Sequence, residues 1–218
     1  TSTNSSIGLI YALKKIFMLK KIKSKISFLL RPLLLIIDFV LSKDYLMALK
    51  DNPFYKNKEY PYLTVPFINF LETLDLKDSS ILEFGGGYGS IYFAKKCKEI
   101  TIIENKKLWK DFIIQKLQND KITNFKILEK QKFNFNKKYD LIIIDAFDRI
   151  SLLKESLNYL NQGGFIIFDN SDRYFPEIYG KGYTVVNFWG YIFHSRKKIC
   201  TSLITKDFSI PNLNNKTI

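Results

Sequence analysis

The stretch ILEFGGGYGS, from Ile81 to Ser90, decides how the rest of this 218-residue sequence is interpreted. An apolar run is followed by four glycines within five positions, and then by IYFAKKC, which has the pattern of a helix. A glycine-rich turn between a strand and a helix lets the backbone come close to a ligand, and the helix start offers free N–H groups. The stretch therefore predicts a nucleotide site, although a tight strand-to-helix turn also needs glycine for purely structural reasons.

Two details narrow the kind of nucleotide. Glu104 ends the second predicted strand, nineteen residues after Gly85, where an acidic side chain can accept hydrogen bonds from ribose hydroxyls. The dinucleotide fingerprint G-x-G-x-x-G/A would place glycine or alanine at position 90, where this chain has Ser90. The spacing therefore disfavours a dinucleotide cofactor.

From residue 60 onward, apolar strands alternate with helices. The predicted strands are SILEF, EITIIE, NFKILE, KYDLIIIDAF and GGFIIFDN, followed by YTVVNFW and KKICTSLIT. Continuous runs of Ile, Leu and Phe are typical of strands that are buried on both faces. The alternation predicts an α/β domain in which helices cover both sides of a mostly parallel sheet.

The ordered set of motifs resembles class I S-adenosylmethionine-dependent methyltransferases, whose first motif is an acidic residue followed by G-x-G-x-G. The resemblance covers about residues 60 to 205 and implies a Rossmann-like, seven-stranded, mostly parallel sheet with an antiparallel last strand. It also implies S-adenosylmethionine as the cofactor. By position, the residues implied to bind it are Glu83, Gly85, Gly87, Gly89 and, at the ribose, Glu104.

Polar side chains follow two neighbouring strands of the predicted sheet. IIIDAFDR contains Asp145 and Asp148, and IIFDNSDR contains Asp169 and Asn170. Ligands of open α/β sheets bind outside the carboxyl ends of the strands, so these side chains are candidates for the chemical site. Clustered carboxylates repel one another unless a cation, a proton or a basic side chain compensates their negative charge. Mg²⁺ is a candidate cation, because it prefers oxygen ligands.

This arrangement resembles the metal-dependent O-methyltransferases of the catechol and caffeoyl-coenzyme A type. The resemblance implies Asp145, Asp169 and Asn170 as Mg²⁺ ligands, with the metal lowering the pKa of a substrate hydroxyl. Those enzymes carry a lysine base three residues after the first aspartate, where this chain has Asp148, and the adjacent Arg149 is always protonated. Asp145 and Asp148 are therefore the catalytic candidates, with Asp148 as general base, and a site without metal remains the alternative.

A second resemblance extends over more of the chain. PYLTVPFINFLE, EFGGGYGS, IIENKKLW, DNSDR and FWGYIF are similar to a group of small bacterial methyltransferases often encoded among glycan-biosynthesis genes. This implies O-methylation of a sugar hydroxyl in a surface glycan or a lipid-linked glycan. Aromatic side chains flank the predicted strand ends, and Tyr62 or Tyr174 is a candidate stacking platform for such a sugar, with covering of the cofactor as the alternative. The alternatives are methyl transfer to nitrogen, to another small molecule or to RNA, and an inactive scaffold of the same fold.

Residues 1–50 differ from the methyltransferase domain predicted for 51–218. They contain nine basic and two acidic residues, so +7 of the formal net charge of +13 lies in this first quarter. Arg31, Pro32 and Asp38 interrupt the apolar run and count against a spanning helix. A basic, apolar helical extension predicts peripheral contact of residues 7–50 with an anionic membrane. Packing against the domain, or formation of a homodimer, remain the alternatives.

The composition also bears on partners and location. The basic residues are nearly all lysine, with four arginines, which disfavours a nucleic-acid partner because such grooves favour arginine forks. Two distant cysteines, Cys97 and Cys200, indicate a reducing cytoplasm and buried thiols. The single histidine, His194, lies in a basic segment and is interpreted as exposed. The sequence thus predicts a cytoplasmic enzyme, at the inner face of the membrane if the extension binds there.

Overall fold

The computed structural model describes residues 60–129, 137–176, 182–192 and 198–206. The predictions made for the N-terminal extension and for His194 lie outside the described residues.

The described chain forms one seven-stranded sheet with helices on both faces. The strands are β1 (Ser80–Phe84), β2 (Glu99–Ile103), β3 (Phe125–Leu128), β4 (Tyr139–Ile144), β5 (Leu160–Phe168), β6 (Thr184–Tyr191) and β7 (Lys198–Thr205). Their order is β3-β2-β1-β4-β5-β7-β6, and β7 runs antiparallel to both of its neighbours. The predicted Rossmann-like α/β sheet with an antiparallel last strand is therefore confirmed.

Within the described residues, five helices connect or flank these strands. They are α1 (Val65–Leu71), α2 (Tyr88–Ala94), α3 (Lys107–Asn119), α4 (Arg149–Ser156) and α5 (Ser171–Tyr174), with a 3₁₀ turn at Leu157–Tyr159. Among the described residues, no helix has both the length and the apolar character that crossing a bilayer requires.

The central strands form the core, as their apolar runs predicted. Leu82 of β1 pairs with Ile142 of β4, which pairs with Ile166 of β5, and all three side chains are completely buried. A parallel strand covered on both faces gains burial from every residue, so an uninterrupted apolar run is stable there. The free thiols of Cys97 and Cys200 are also buried, as predicted.

Two element boundaries differ from the sequence prediction. Helix α2 starts at Tyr88, two residues before the predicted start at Ser90, because the Ser90 hydroxyl accepts the N–H of Gly87 and caps the helix there. Strand β5 starts at Leu160 and not at Gly163, since Leu160 already pairs with Tyr139 before an irregularity in the register.

Four strands of the sheet end at one common edge. The residue directly after each strand continues the ladder by one backbone hydrogen bond: Gly85 to Ile103, Glu104 to Leu128, Asp145 to Phe84 and Asp169 to Ile144, at 2.9–3.2 Å. Consequently the polar residues that follow β1, β2, β4 and β5 are brought together although they lie up to 84 positions apart in the sequence. This edge is the candidate functional site.

Candidate functional site

The glycine loop after β1 is fixed by close packing at its two ends. Gly85 has a φ of +91°, and a Cβ there would lie 2.1 Å from the carbonyl oxygen of Asp145. A Cβ at Gly89 would lie 2.8 Å from Oε1 of Glu83. Gly85 is therefore required by the fold itself, because the backbone of Asp145 leaves no room for a side chain. At Gly89 a side chain would require the carboxyl group of Glu83 to shift.

The middle of the loop divides into one packed and one open position. A Cβ at Gly86 would lie 2.7 Å from Cδ1 of Ile113, so this glycine, which the motif leaves unspecified, is sterically constrained as well. At Gly87 the nearest atom is Cζ3 of Trp109, 4.0 Å away. Of the three glycines predicted to bind the cofactor, Gly87 is thus the one whose missing side chain leaves space for a ligand.

Glu83 lies at the base of the loop as a buried carboxyl group. The hydroxyl of Ser90, itself completely buried, donates to Oε2 of Glu83 and accepts the Gly87 N–H at 3.0 Å. Burial raises the pKa of Glu83 to about 8, and the neighbouring carboxylates of Asp145 and Glu104 add to the rise, while the Ser90 bond opposes it. Ser90, which disfavoured a dinucleotide in the sequence analysis, therefore connects the loop to a protonated Glu83 through the two hydrogen bonds of its hydroxyl.

Glu104 holds the two loops on either side of the site. Its Oε2 accepts the N–H of Gly86 at 3.0 Å, and its Oε1 accepts the N–H of Lys106 at 2.6 Å. A carboxylate has about four acceptor positions, so these two bonds leave acceptor capacity for hydroxyl donors. This geometry is compatible with the role in ribose binding that the sequence predicts.

Two adjoining cavities open at this edge of the sheet. The larger, of about 450 Å³, extends from Ile103 and Asn105 to Phe147 and Leu152. The smaller, of about 190 Å³, lies between the glycine loop, residues 61–63 and Trp109. They share the wall residues Gly85, Glu104, Lys106 and Asp145. An elongated ligand could occupy both cavities and pass Glu104 at their junction.

The carboxylates of Asp145 and Asp169 meet at a guanidinium group. Nη2 of Arg149 donates to Oδ1 of Asp145 and lies 3.7 Å from Oδ2 of Asp169, while Nη1 donates to the carbonyl of Ala146 at 2.8 Å. Thr201 also donates to Asp169, at 3.4 Å. The sequence analysis required a metal cation, a proton or a basic side chain to compensate these carboxylates, and the structure shows a basic side chain, Arg149.

The two carboxyl groups differ in their affinity for protons. Burial raises the pKa of both, and the charge of Asp145 raises that of Asp169 further, to well above its ordinary range. Arg149 opposes the rise at both groups. The pKa of Asp169 is therefore raised more strongly than that of Asp145.

The donor set in this arrangement does not fit a divalent metal ion. Mg²⁺ needs oxygen ligands free of competing cations, and here Nη2 of Arg149 lies at both carboxylates. In the described parts of the chain, no group of three or more His, Cys, Asp or Glu side chains is placed to hold a metal. The predicted ligands Asp145 and Asp169 are brought together, and Asn170 follows in the left-handed region, with φ 54°, but the prediction of Mg²⁺ gains no support from them.

Asp148 lies at the rim of the larger cavity. It is exposed and precedes α4 with a left-handed backbone, at φ 59°. This turn reverses the chain after β4 and sends Arg149 back toward Asp145. The sequence predicted Asp148 as the general base and excluded Arg149 from that role. It contained no signal that Arg149 contacts Asp145 and Asp169.

Aromatic side chains surround the openings. Phe147 is 85% exposed beside the larger cavity, and Tyr62 is 37% exposed beside the smaller one. One face of Tyr174 is covered by Arg149, whose guanidinium carbon lies 5.4 Å from the ring centroid. Of the two tyrosines predicted as a platform, Tyr62 is the exposed one and Tyr174 is half-buried.

The order of strands, with a glycine loop after β1 and an acid after β2, is the fold of S-adenosylmethionine-dependent methyltransferases. No protein-family model and no curated protein matches the sequence, so the comparison rests on solved structures. One similar structure is the O-methyltransferase TomG from Streptomyces achromogenes, involved in tomaymycin synthesis, in complex with S-adenosylmethionine. It is 16% identical, with a TM-score of 0.55 over 72% of this chain and 88% of that one.

Two further structures show the same fold. The precorrin-6y C5,15-methyltransferase from Geobacter metallireducens is 14% identical, with a TM-score of 0.54 over 68% of this chain and 100% of that one. A protein from Streptococcus mutans, assigned as a methyltransferase and bound to S-adenosylhomocysteine, is 12% identical. Its TM-score is 0.52 over 66% of this chain and 99% of that one. At these identities the likeness is one of fold.

Proposed function

We propose that this chain is an S-adenosylmethionine-dependent O-methyltransferase whose acceptor is a sugar hydroxyl of a surface glycan or a lipid-linked glycan. The observation that carries the proposal is the pair of adjoining cavities, which meet at Gly85, Glu104 and Asp145. The fold shared with methyltransferases, some of them bound to this cofactor or its product, supports it.

The two cavities suit the two ends of this cofactor. The larger, partly apolar one has room for the adenosine, and the smaller one, beside the open Gly87, has room for the methionine part. Glu104, at their junction, would accept hydrogen bonds from the ribose hydroxyls. When bound, S-adenosylmethionine supplies an electrophilic methyl group on a positively charged sulfur.

The charges of the site favour that cation. Glu104 and Asp145 line both cavities together with Lys106, and their carboxylates attract a sulfonium more strongly than the neutral thioether of the product. Asp145 is then placed to accept the proton of an incoming hydroxyl, and Asp148 could receive it at the rim. Most of the acceleration would come from alignment of the acceptor oxygen with the methyl carbon, because this displacement needs little help from a base.

The acceptor class is inferred from the openings and from the sequence. Exposed aromatic side chains, such as Tyr62 and Phe147, are suited to packing against the C–H faces of a sugar ring. The motif resemblance to methyltransferases of glycan loci favours the same class. Residues 7–50 would keep the cytoplasmic enzyme at an anionic membrane, where lipid-linked acceptors are found.

Titration calorimetry with S-adenosylmethionine and S-adenosylhomocysteine tests the cofactor. Glu104→Gln should weaken binding about 10- to 100-fold, because a charged hydrogen bond contributes about 1.5–3 kcal/mol. The matched control is Glu99→Gln, an exposed glutamate at the start of β2, which should leave the dissociation constant unchanged. Absence of binding to the unmodified protein would remove the catalytic hypothesis and favour the inactive scaffold.

Mass spectrometry tests the acceptor. Glycan precursors from cells with and without the gene should differ by the mass of one methyl group on a sugar hydroxyl. Methylation of an amine or of RNA by the purified protein, with sugars untouched, would favour the alternative acceptor classes instead.

A further inference from the structure

We infer that Arg149 is the built-in cation of the reaction site: it stands where a metal ion would otherwise be needed and positions Asp145 toward the acceptor. This inference rests on the proposed methyl transfer and extends it to a residue that the motifs do not assign.

The contacts of Arg149 hold it from three sides. Its two terminal nitrogens reach Asp145, Ala146 and Asp169, which follow β4 and β5. Tyr174, in α5, covers the face of the guanidinium. The side chain is only 12% exposed, so it joins the two loops as a fixed part of the site.

This placement follows from a local feature of the backbone. Arg149 is the first residue of α4 and lies four positions after Asp145. The left-handed conformation of Asp148 turns the chain sharply, which brings the arginine back over the end of β4. Its Nε is buried without a hydrogen bond among the described residues, so the guanidinium is held through its terminal nitrogens and its face.

The acids of the site already have a cationic partner. Nη2 of Arg149 donates to Asp145 and lies 3.7 Å from Oδ2 of Asp169. A divalent ion would have to displace the guanidinium or lie beside it, and like charges in a buried site repel strongly. A permanently charged guanidinium that donates through Nη2 to Asp145 and through Nη1 to the carbonyl of Ala146 is suited to orienting that carboxylate.

The transfer step can then be balanced on Asp145. The acceptor hydroxyl gives its proton to the Asp145 carboxylate while its oxygen forms a bond to the methyl carbon. The carbon–sulfur bond breaks, and its electron pair stays on sulfur, which becomes the neutral thioether. Arg149 does not touch the reacting atoms and is therefore a positioning residue.

The test compares Arg149→Met, Arg149→Lys and, as the matched control, Arg173→Met, which changes an exposed arginine of α5. We expect Arg149→Met to lower kcat at least 100-fold while the dissociation constant for S-adenosylmethionine changes less than about threefold. Arg149→Lys should restore at least a tenth of kcat, because it keeps the charge. Arg173→Met should leave kcat unchanged. If Arg149→Met does not fold, the Lys variant and the metal measurements below decide the question.

Metal binding is measured independently of turnover, by Mn²⁺ paramagnetic resonance and by thermal melts in Mg²⁺ at matched ionic strength. The unmodified protein should bind no Mn²⁺ at millimolar concentration, its melting temperature should not respond to Mg²⁺, and EDTA should leave its activity intact. Mn²⁺ binding that Asp145→Asn abolishes, loss of activity in EDTA, or full activity of Arg149→Met would overturn the inference. Failure of the proposed function itself would appear differently, as absence of cofactor binding in every variant.

Discussion

Replacing Glu83 by glutamine should change how the stability of this protein depends on pH. The folded state holds Glu83 protonated up to a pKa of about 8, whereas the ordinary value is 4.5. Between these two values the unfolded chain releases a proton that the folded chain retains, so the free energy of unfolding falls as pH rises. Above pH 8 both states are ionised and the loss levels off.

The size of the effect follows from proton linkage. One proton of difference changes the free energy of unfolding by about 1.4 kcal/mol per pH unit. Between pH 5 and pH 7 this amounts to roughly 2–3 kcal/mol. Glu83 is 3% exposed, so solvent screens the effect little. Glutamine is neutral at every pH and can still accept the Ser90 hydroxyl, so Glu83→Gln should remove this slope.

Urea denaturation at pH 5, 6 and 7, followed by tryptophan fluorescence, measures the slope for both proteins. The control is Glu155→Gln, which changes an exposed glutamate of α4 and should keep the slope of the unmodified protein. An identical pH dependence in the Glu83→Gln protein would refute the reasoning. It would mean that Glu83 is ionised in the folded protein and that its charge is compensated.

Three further predictions concern the loop and the extension. Gly87→Ala should fold normally, since its Cβ meets no nearer atom than Trp109 at 4.0 Å, but the added methyl group should weaken S-adenosylmethionine binding at least tenfold. Gly85→Ala is strained at φ +91° and should instead lower the free energy of unfolding by about 2 kcal/mol or more. Thermal melts and binding titrations of both variants test this, and equal behaviour of the two would contradict the prediction. Ser90→Ala should lower the free energy of unfolding, measured by urea denaturation, by about 1–3 kcal/mol, because it removes the hydroxyl that bonds the buried Glu83 and the Gly87 N–H. A change of less than about 0.5 kcal/mol would contradict this prediction. Co-sedimentation with anionic vesicles should require residues 7–50 and weaken with salt, and equal pelleting with neutral vesicles would argue against an electrostatic contact.

Much of the fold could be predicted from the sequence, because the signals are local. The runs around Leu82, Ile142 and Ile166 are apolar at every position, which is what a strand covered on both faces needs. The glycines after β1 and the acid after β2 were visible as a spaced motif. The order of the strands came from the family resemblance and not from the spacing of residues.

The chemical site was predicted only in part. The sequence located Asp145 and Asp169 at adjacent strand ends, since parallel strands expose their carboxyl ends at one edge. It could not show which cation compensates them, because that depends on a left-handed turn at Asp148 and on the direction in which Arg149 then points. The sequence also could not distinguish the open position of Gly87 from the packed positions of Gly85 and Gly89. Gly85 packs against Asp145, which follows β4, and Gly89 packs against Glu83 in β1.

The sequence by itself therefore determined the layered sheet, the position of the ligand edge and the class of cofactor that its motifs imply. Hydrophobic periodicity and turn chemistry act over a few residues, so one chain segment is enough to reveal them. Only the tertiary structure decided that Arg149 joins two acids, that burial keeps Glu83 protonated at neutral pH, and that Gly87 is the open position of the described glycine loop. Those properties arise from burial and charge among residues that become neighbours when the strands align.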